Sequence, residues 1–189
     1  MQSSSDFQRY FLAIIPPEPV YSEAQVLKEY FKNTFGSKAS LNSPPHITLH
    51  MPFRWKEKKE LILIEKLKDF GQLQAAFQLS LHRFNAFPPR VIYLDVETNS
   101  QLVVLQKELE RFCKRSFQLF NANRLDQPFR PHLTLAFRDL KKETFGQAWN
   151  EFKNREYKAN WLVESIYLLK HNGSVWEKHA QVALKKTIY

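Results

Sequence analysis

Two short segments of the chain carry the same set of chemically active side chains. Residues 44–53 read PPHITLHMPF and residues 130–138 read RPHLTLAFR, so Pro-His-aliphatic-Thr-Leu occurs twice. An imidazole titrates near neutral pH and can accept or donate a proton, and a threonine hydroxyl can donate a hydrogen bond to an anion. With only six histidines in 189 residues, the repeat indicates either two copies of one structural unit or two halves of one site.

The flanking prolines and the β-branched residues of the motif predict that each copy lies on a strand. Proline lacks the amide hydrogen that a helix needs, whereas β-branched side chains favour extended backbone. On a strand, His46 and Thr48 point to one face, and the aliphatic residues beside them point to the other. His132 and Thr134 repeat this arrangement in the second copy. The aliphatic residues are expected to anchor both strands in a core and leave the His-Thr pairs free to face a cleft.

Two imidazoles and two hydroxyls in one cleft suit in-line attack on a phosphodiester. One histidine can remove a proton from the attacking water while the other protonates the leaving oxygen. The threonine hydroxyls can then bind the non-bridging phosphate oxygens. A single His-x-Thr pair is more often a structural hydrogen-bonded pair, so the prediction of catalysis depends on its repetition.

The remaining pattern predicts two matching halves around the motifs. The first half has a strand, a helix, the motif strand, a helix and a further strand, and the second half repeats this order and ends in one more strand. The strands are expected at 9–15, 76–84, 91–96, 161–169 and 175–184, and the helices at 20–35, 57–70, 100–119 and 143–153. No Gly-, Ser- or Pro-rich linker separates the halves. We therefore expect one α+β domain over residues 1–189, built from two related lobes.

Composition limits the partners and the compartment. The net charge is +9 and the pI about 9.6, which favours anionic partners such as nucleotides or RNA. No apolar run approaches the length of a membrane span, and the N-terminus has no signal-peptide pattern. The single cysteine, Cys113, cannot form an internal disulfide and is expected in a helix core. We expect a monomeric cytoplasmic protein that does not bind membranes.

At these motifs the chain resembles the 2′-5′ RNA ligase–like cyclic phosphodiesterases of the two-histidine phosphoesterase superfamily. That family has two His-x-Thr/Ser-x motifs, which PHITLHMPF and RPHLTLAFR match. FLAIIPP resembles its first strand, and PPRVIYLDV with the helix that follows resembles its central strand and helix. The resemblance thus covers nearly the whole chain. It implies a bilobal fold with two antiparallel sheets, helices on the outer faces and a central cleft.

The resemblance also implies a reaction and a role for each motif residue. The reaction is hydrolysis of the 2′,3′-cyclic phosphate ends of RNA, or of cyclic nucleotides, to 2′-phosphates, without metal or cofactor. His46 would be the general acid toward the leaving 3′ oxygen, His132 the base on water, and Thr48 and Thr134 the phosphate ligands. Ligation of RNA ends through a 2′-5′ bond and a place in RNA processing are further implications.

Four other residues beside the motifs are candidates for substrate contact. His50 and Arg138 share sequence parity with His46 and His132, so strand alternation would turn them toward the cleft. Phe53 and Phe137 follow the motifs and could stack on a base. Family members from bacteria carry an arginine shortly after the second motif, where Phe137 precedes Arg138 here. For His50, a position at the rim facing water is an equally good interpretation.

Other kinds of site and function can be weighed against phosphodiester hydrolysis. His46 and His50 would suit a metal if they lay on a helix, but the prolines argue against a helix, and no Cys cluster is present. The scattered glycines form no phosphate-binding loop. The main alternative is a non-catalytic module that binds RNA ends or nucleotides in the same cleft. Turnover of a 2′,3′-cyclic mononucleotide would separate the enzyme from the module.

Overall fold

The computed structural model describes residues 6–123 and 127–186, and these form one antiparallel sheet with α-helices. The strands are β1 (Phe7–Ile14), β2 (Ile47–Lys56), β3 (Phe77–Phe87), β4 (Val91–Val96), β5 (His132–Ala136), β6 (Lys158–Val163), β7 (Ser165–His171) and β8 (Trp176–Ala183). The α-helices are α1 (Val20–Phe35), α2 (Glu60–Gln72), α3 (Ser100–Phe117) and α4 (Lys142–Phe152).

The order of the strands places the two motif strands side by side at the centre. The order is β6-β3-β4-β5-β2-β1-β7-β8. β5 and β2 meet through one pair, Ile47 opposite Leu133, which joins two four-stranded halves. The sequence predicted two antiparallel sheets, and this pair joins the two halves into one continuous sheet. The organisation of residues 1–189 as one two-lobed domain stays a prediction.

The main core lies between the helices and one face of the sheet. Ile47 and Leu133 are both fully buried in it. Helix α3 contributes an apolar stripe that includes Cys113, whose thiol pKa is raised by burial to about 12. The prediction that Cys113 is a core residue is confirmed. The side chains on the other face of β2 and β5 are left for the site.

The helices begin and end largely where the sequence signals place them. Helix α1 ends at Gly36, which has a left-handed backbone (φ 71°) and donates its amide to the last turn. Asn99 caps α3 by accepting a hydrogen bond from the amide of Leu102. Within the described part of the chain, none of the helices is long and apolar enough to cross a lipid bilayer.

The C-terminal strands differ from the prediction. One strand was expected over 161–169, but the chain forms β6 and β7, which are separated by Glu164. β6 pairs with β3 at one edge of the sheet, whereas β7 pairs with β1 in the other half. The chain therefore crosses between the halves at this residue, and a continuous hydrophobic pattern does not reveal such a crossing.

Candidate active site

The pairing of β2 with β5 brings the four motif residues together. With Ile47 opposite Leu133, continuing the register places His46 across from Thr134 and Thr48 across from His132. The aliphatic residues between them point into the main core. All four motif side chains are partly exposed on the opposite face of the sheet. This arrangement is the one that the repeated motif predicted.

Both histidines are held by the same hydrogen bond to the backbone. Nδ1 of His46 lies 2.7 Å from the carbonyl oxygen of Pro44, and Nδ1 of His132 lies 2.7 Å from that of Arg130. A carbonyl oxygen can only accept, so Nδ1 carries the hydrogen in each ring. Nε2 is then the nitrogen that can accept or donate a proton in the site. The repeated two-residue spacing thus fixes one tautomer in both motifs.

The surroundings of His46 favour its neutral form. Burial, and then the positive charge of Lys28 on α1, lower the pKa of His46 to about 3. His132 acts weakly in the same direction, whereas the hydrogen bond to Pro44 opposes the shift. The residue as a whole is partly exposed. At neutral pH the Nε2 of His46 is therefore a proton acceptor in the free protein.

The surroundings of His132 contain an opposing charge. Burial lowers the pKa of His132 below its ordinary value, and the hydrogen bond to Arg130 and the carboxylate of Asp95 only partly offset this shift. Asp95 on β4 is the register partner of His132. Its carboxylate accepts a hydrogen bond of 3.0 Å from the side chain of Asn85. A negative charge thus lies beside His132, whereas a positive charge lies beside His46.

Aromatic rings enclose both imidazoles. Phe11 on β1 packs against His46, with ring centroids 4.9 Å apart, and Trp176 on β8 packs edge-on against Phe11 at 4.7 Å. Tyr93 and Phe87 pack against His132 at 5.1 and 5.2 Å. These rings shield the histidines from water and restrict their rotation. Sequence reasoning missed them because nothing local marks strand residues of other segments as neighbours of the motifs.

A β-bulge follows the threonine in each motif strand. Leu12 and Ala13 pair with His50 and Thr48, so Leu49 is the extra residue on β2. On β5 the extra residue is Leu135, since Ile92 and Tyr93 pair with Ala136 and Thr134. The bulge reverses the strand alternation beyond the motif. Two matching bulges therefore continue the pseudo-symmetry of the two motifs.

The bulge on β2 turns His50 into the core, contrary to the expectation that it lines the cleft. Its side chain is fully buried, its Nδ1 lies 2.8 Å from the carbonyl oxygen of Met51, and its ring packs edge-on against Phe53. Phe53 is only 5% exposed and stacks on Tyr10. Phe53 therefore packs in the core and is not free to stack on a base. We therefore remove His50 and Phe53 from the residues proposed to contact substrate.

The other two residues predicted to contact substrate, Phe137 and Arg138, lie beyond the end of the motif strand. Strand β5 ends at Ala136, so strand alternation no longer determines where Arg138 points. Arg138 has a left-handed backbone (φ 58°), and its guanidinium lies 5.1 Å from the ring centroid of Phe137. Phe137 is partly exposed. Contact of Phe137 and Arg138 with substrate stays a prediction.

Asp139, just beyond the second motif, holds the loop that precedes the first. Its carboxylate accepts hydrogen bonds of 2.9 Å from the Ser37 hydroxyl and from the amides of Lys38 and Ala39. These amides begin the short 3₁₀ helix Ala39–Asn42, so Asp139 caps it from a distant segment. The contact ties the two motif segments together. No sequence signal marks this pairing, since about a hundred residues separate the partners.

The described residues 6–123 and 127–186 contain no group of three or more His, Cys, Asp or Glu side chains placed to hold a metal ion. The paired motif therefore offers imidazoles and hydroxyls as its reactive groups. Its nearest carboxylate in the register, that of Asp95, already interacts with Asn85, with Arg83 at 3.4 Å and with His82 at 3.8 Å. The arrangement is suited to proton transfer around an anion.

Known proteins align with most of the length of this chain. A protein of Geobacillus sp. (strain WCH70), named as a phosphoesterase, is 26% identical over 170 residues, which cover 88% of this chain and 91% of that protein. A second, from Geobacillus kaustophilus (strain HTA426), is 27% identical over 170 residues with the same coverage of both chains. These proteins support a phosphoesterase as the class of enzyme.

Solved structures with a similar fold include two bacterial proteins. TT0787 of Thermus thermophilus superposes with a TM-score of 0.66 at 21% identity and covers 95% of this chain and 100% of its own. E. coli LigT, solved with 3′-AMP, gives 0.65 at 20% identity, covering 94% and 98%. These similarities confirm the α+β two-histidine phosphoesterase fold. The family model of the 2′-5′ RNA ligase superfamily matches residues 16–175, and the chain belongs to that superfamily.

Proposed function

We propose that the protein is a metal-independent phosphodiesterase that hydrolyses 2′,3′-cyclic phosphates to 2′-phosphates. The observation that carries the proposal is the pair of imidazoles on adjacent strands, each with Nδ1 held by a backbone carbonyl. This leaves two Nε2 atoms and two threonine hydroxyls on one partly exposed face of the sheet. Membership of the 2′-5′ RNA ligase superfamily supports the same class of reaction.

In the proposed reaction, water attacks the phosphorus in line with the 3′ oxygen. One imidazole Nε2 takes a proton from the water as the new P–O bond forms. The other imidazole gives its proton to the 3′ oxygen as the P–O3′ bond breaks, so the product is a 2′-phosphate with a free 3′ hydroxyl. Thr48 and Thr134 donate hydrogen bonds to the non-bridging oxygens, where charge develops.

The charges beside the histidines favour an assignment of their roles opposite to the one implied by family resemblance. Lys28 favours neutral His46, the form that a base needs, and Asp95 favours protonated His132, the form that an acid needs. We therefore propose His46 as the base on water and His132 as the acid. The pKa of His132 is lowered by burial, so the negative charge of the bound phosphate, together with Asp95, would help this ring to take up the proton that an acid needs.

A substrate with a sulfur leaving group tests this assignment. In a 2′,3′-cyclic phosphorothiolate with sulfur in place of the 3′ oxygen, the leaving thiolate needs no proton. We expect His132→Ala to recover much of its lost rate with this substrate, and His46→Ala to remain slow. Recovery of His46→Ala instead would restore the assignment with His46 as the acid.

The substrate class follows from charge and from the partly exposed face. A net charge of +9 favours RNA ends or small cyclic nucleotides, and 3′-AMP bound to E. coli LigT, a protein of similar fold, supports a nucleotide ligand. Affinity for an oligonucleotide should fall steeply as salt rises, whereas a cyclic mononucleotide should show a much smaller dependence. Equal salt dependence would argue against binding of RNA along the basic surface. Ligation through a 2′-5′ bond is a further proposed activity, in RNA processing.

The experiment that separates the enzyme from a non-catalytic binding module is product analysis in EDTA. A 2′,3′-cyclic mononucleotide is incubated with the protein, and the products are resolved by chromatography. Formation of the 2′-phosphate in EDTA supports the proposal. Binding without product would favour the module, and activity that is lost in EDTA and returns with one divalent ion would make the histidines metal ligands. We propose a cytoplasmic, monomeric enzyme, as the composition predicts.

A further inference from the structure

Helix α1 buries a lysine beneath the site. Lys28 is 1% exposed and is the only Lys, Arg, Asp or Glu side chain that is buried among residues 6–123 and 127–186. Taking an ammonium group out of water is costly, so a buried lysine is usually paired with a carboxylate. The described residues show no ion pair for Lys28. A charge kept in this position needs an explanation.

The ammonium group is bound by the loop that leads into the first motif. Nζ of Lys28 donates hydrogen bonds of 2.9 Å to the carbonyl oxygens of Ser40 and Ser43. Ser43 is followed by Pro44, whose own carbonyl accepts the hydrogen bond from His46. Lys28 therefore binds the carbonyl adjacent in sequence to the one that orients the catalytic ring. Asp139 binds the amides at the other end of the same loop.

The same lysine also acts on His46 through its charge. After burial, the charge of Lys28 is the larger of the two electrostatic causes that lower the pKa of His46, and the second is His132. Phe11, which packs against the ring, carries no charge. On the lysine side, the groups within hydrogen-bonding distance are the two neutral carbonyls, and burial lowers the pKa of Lys28 to about 7.

We propose that Lys28 is a positioning residue for the paired-histidine site, which holds the loop before His46 in place and keeps that imidazole ready to accept a proton. The proposal rests on the proposed function, because it assigns Lys28 a role in that reaction. A purely structural lysine would hold the loop without affecting proton uptake at His46. The two roles therefore differ in what happens when the charge alone is removed.

The test is an NMR titration of the His46 ring in the wild-type protein and in Lys28→Met, which keeps most of the length of the side chain and removes the charge. The 13C–1H signal of His46 Cε1 is followed from pH 2 to pH 8 on labelled protein, so that the range extends below the pKa of about 3 in the wild-type protein. We expect the midpoint for His46 to rise by about 1 pH unit or more in Lys28→Met, because removal of a nearby like charge favours the protonated ring. An unchanged midpoint in folded Lys28→Met would overturn the proposal.

Lys32→Met is the matched control on the same helix. Lys32 is exposed and pairs with Glu29 at 3.0 Å, so its replacement should leave both the His46 midpoint and the turnover of a cyclic mononucleotide unchanged. An equal shift in Lys32→Met would mean that the net charge of the protein, rather than Lys28, controls His46. This outcome would contradict the proposal.

A measurement on the wild-type protein keeps the proposal testable if Lys28→Met does not fold. The 13Cε signal of Lys28 should titrate well below 10.5, the ordinary pKa of lysine, and near pH 7. The ring signals of His46 should shift in the same pH range. Signals of His46 that do not respond while Lys28 titrates would contradict the proposal. Neither titration requires turnover, so this result is independent of whether the protein hydrolyses cyclic phosphates.

The kinetic consequence applies to one limb of the pH profile. In Lys28→Met, the limb of kcat/KM that reports His46 should move to higher pH, in the same direction as the NMR midpoint. A lower kcat with an unmoved profile would show that Lys28 only anchors the loop, and would refute the second half of the proposal. If wild-type protein shows no turnover while the NMR shift is present, the proposed function fails and the effect of Lys28 on His46 stands.

Discussion

Removing the Asp139 carboxylate should loosen the loop before His46 and slow the reaction. Asp139→Ala deletes three hydrogen bonds of 2.9 Å, from the Ser37 hydroxyl and from the amides of Lys38 and Ala39. It also removes the negative charge at the start of the short 3₁₀ helix, where amide hydrogens lack partners. Asp139→Asn keeps one acceptor oxygen, so it should show an intermediate effect.

The size of the effect follows from these contacts. A hydrogen bond to a charged group stabilises a fold by about 1.5–3 kcal/mol when it is buried, and a helix cap by about 0.5–2 kcal/mol. The Lys38 contact is exposed and the other two are partly buried, so the full sum does not apply. We expect Asp139→Ala to lower the free energy of unfolding by about 2 kcal/mol, and Asp139→Asn by about half as much. Because small misplacements of catalytic groups are costly, kcat should fall by about 10-fold or more.

Urea denaturation and steady-state hydrolysis of a 2′,3′-cyclic mononucleotide measure the two effects. Asp69→Ala is the control, because Asp69 is exposed on α2 and its loss should change the free energy of unfolding by less than about 0.5 kcal/mol. Wild-type values of both unfolding free energy and kcat in Asp139→Ala would refute the role of this carboxylate in holding the loop.

Three further predictions concern the phosphate ligands, a close helix–strand contact and acid stability. Thr48→Val and Thr134→Val should fold normally by circular dichroism. Their kcat should fall by about 10²-fold, as on removal of other hydrogen-bond donors to a developing oxyanion. Normal kinetics in both variants would mean that the hydroxyls do not contact the phosphate. Gly71→Ala should lower the free energy of unfolding in urea by about 1–3 kcal/mol, because a Cβ there would overlap the backbone carbonyl oxygen of Ala183. An unchanged urea midpoint would contradict the close contact. His46 has a pKa of about 3 in the folded protein against an ordinary value of 6.5. Its contribution to the free energy of unfolding should therefore be complete above pH 6.5 and decline as pH falls toward 3. His46→Gln should flatten this part of a plot of Tm against pH, and a plot identical to that of the wild-type protein would contradict the pKa shift.

Features set by local chemistry could be predicted from the sequence. The prolines and β-branched residues around His46 predicted a strand, and β2 begins at Ile47. The apolar spacing after Val20 and the glycine at 36 predicted helix α1 with its observed bounds. The repeat indicated two copies of one unit or two halves of one site, and the pairing of Ile47 with Leu133 places the two motifs side by side. These properties depend on a few neighbouring residues.

Features set by pairing between distant segments could not be predicted in the same way. The bulges at Leu49 and Leu135 depend on how β1 and β4 align with the motif strands, and they reversed the orientation expected for His50. Lys28 lies on the apolar face of α1, four residues after Ala24 and three before Phe31, but helical spacing does not show that its ammonium group would meet the loop before His46. A periodic pattern does not show which polar residue will meet a carbonyl from another segment.

The most direct test of the paired-histidine mechanism is a double-mutant cycle on His46 and His132, measured in EDTA with a 2′,3′-cyclic mononucleotide. The account predicts that His46→Ala and His132→Ala each lower kcat by about 10²–10⁴-fold, the usual contribution of a positioned acid or base. The double variant should lose much less than the product of the two, because the residues act as a unit. Turnover at the wild-type rate in either single variant would contradict the account.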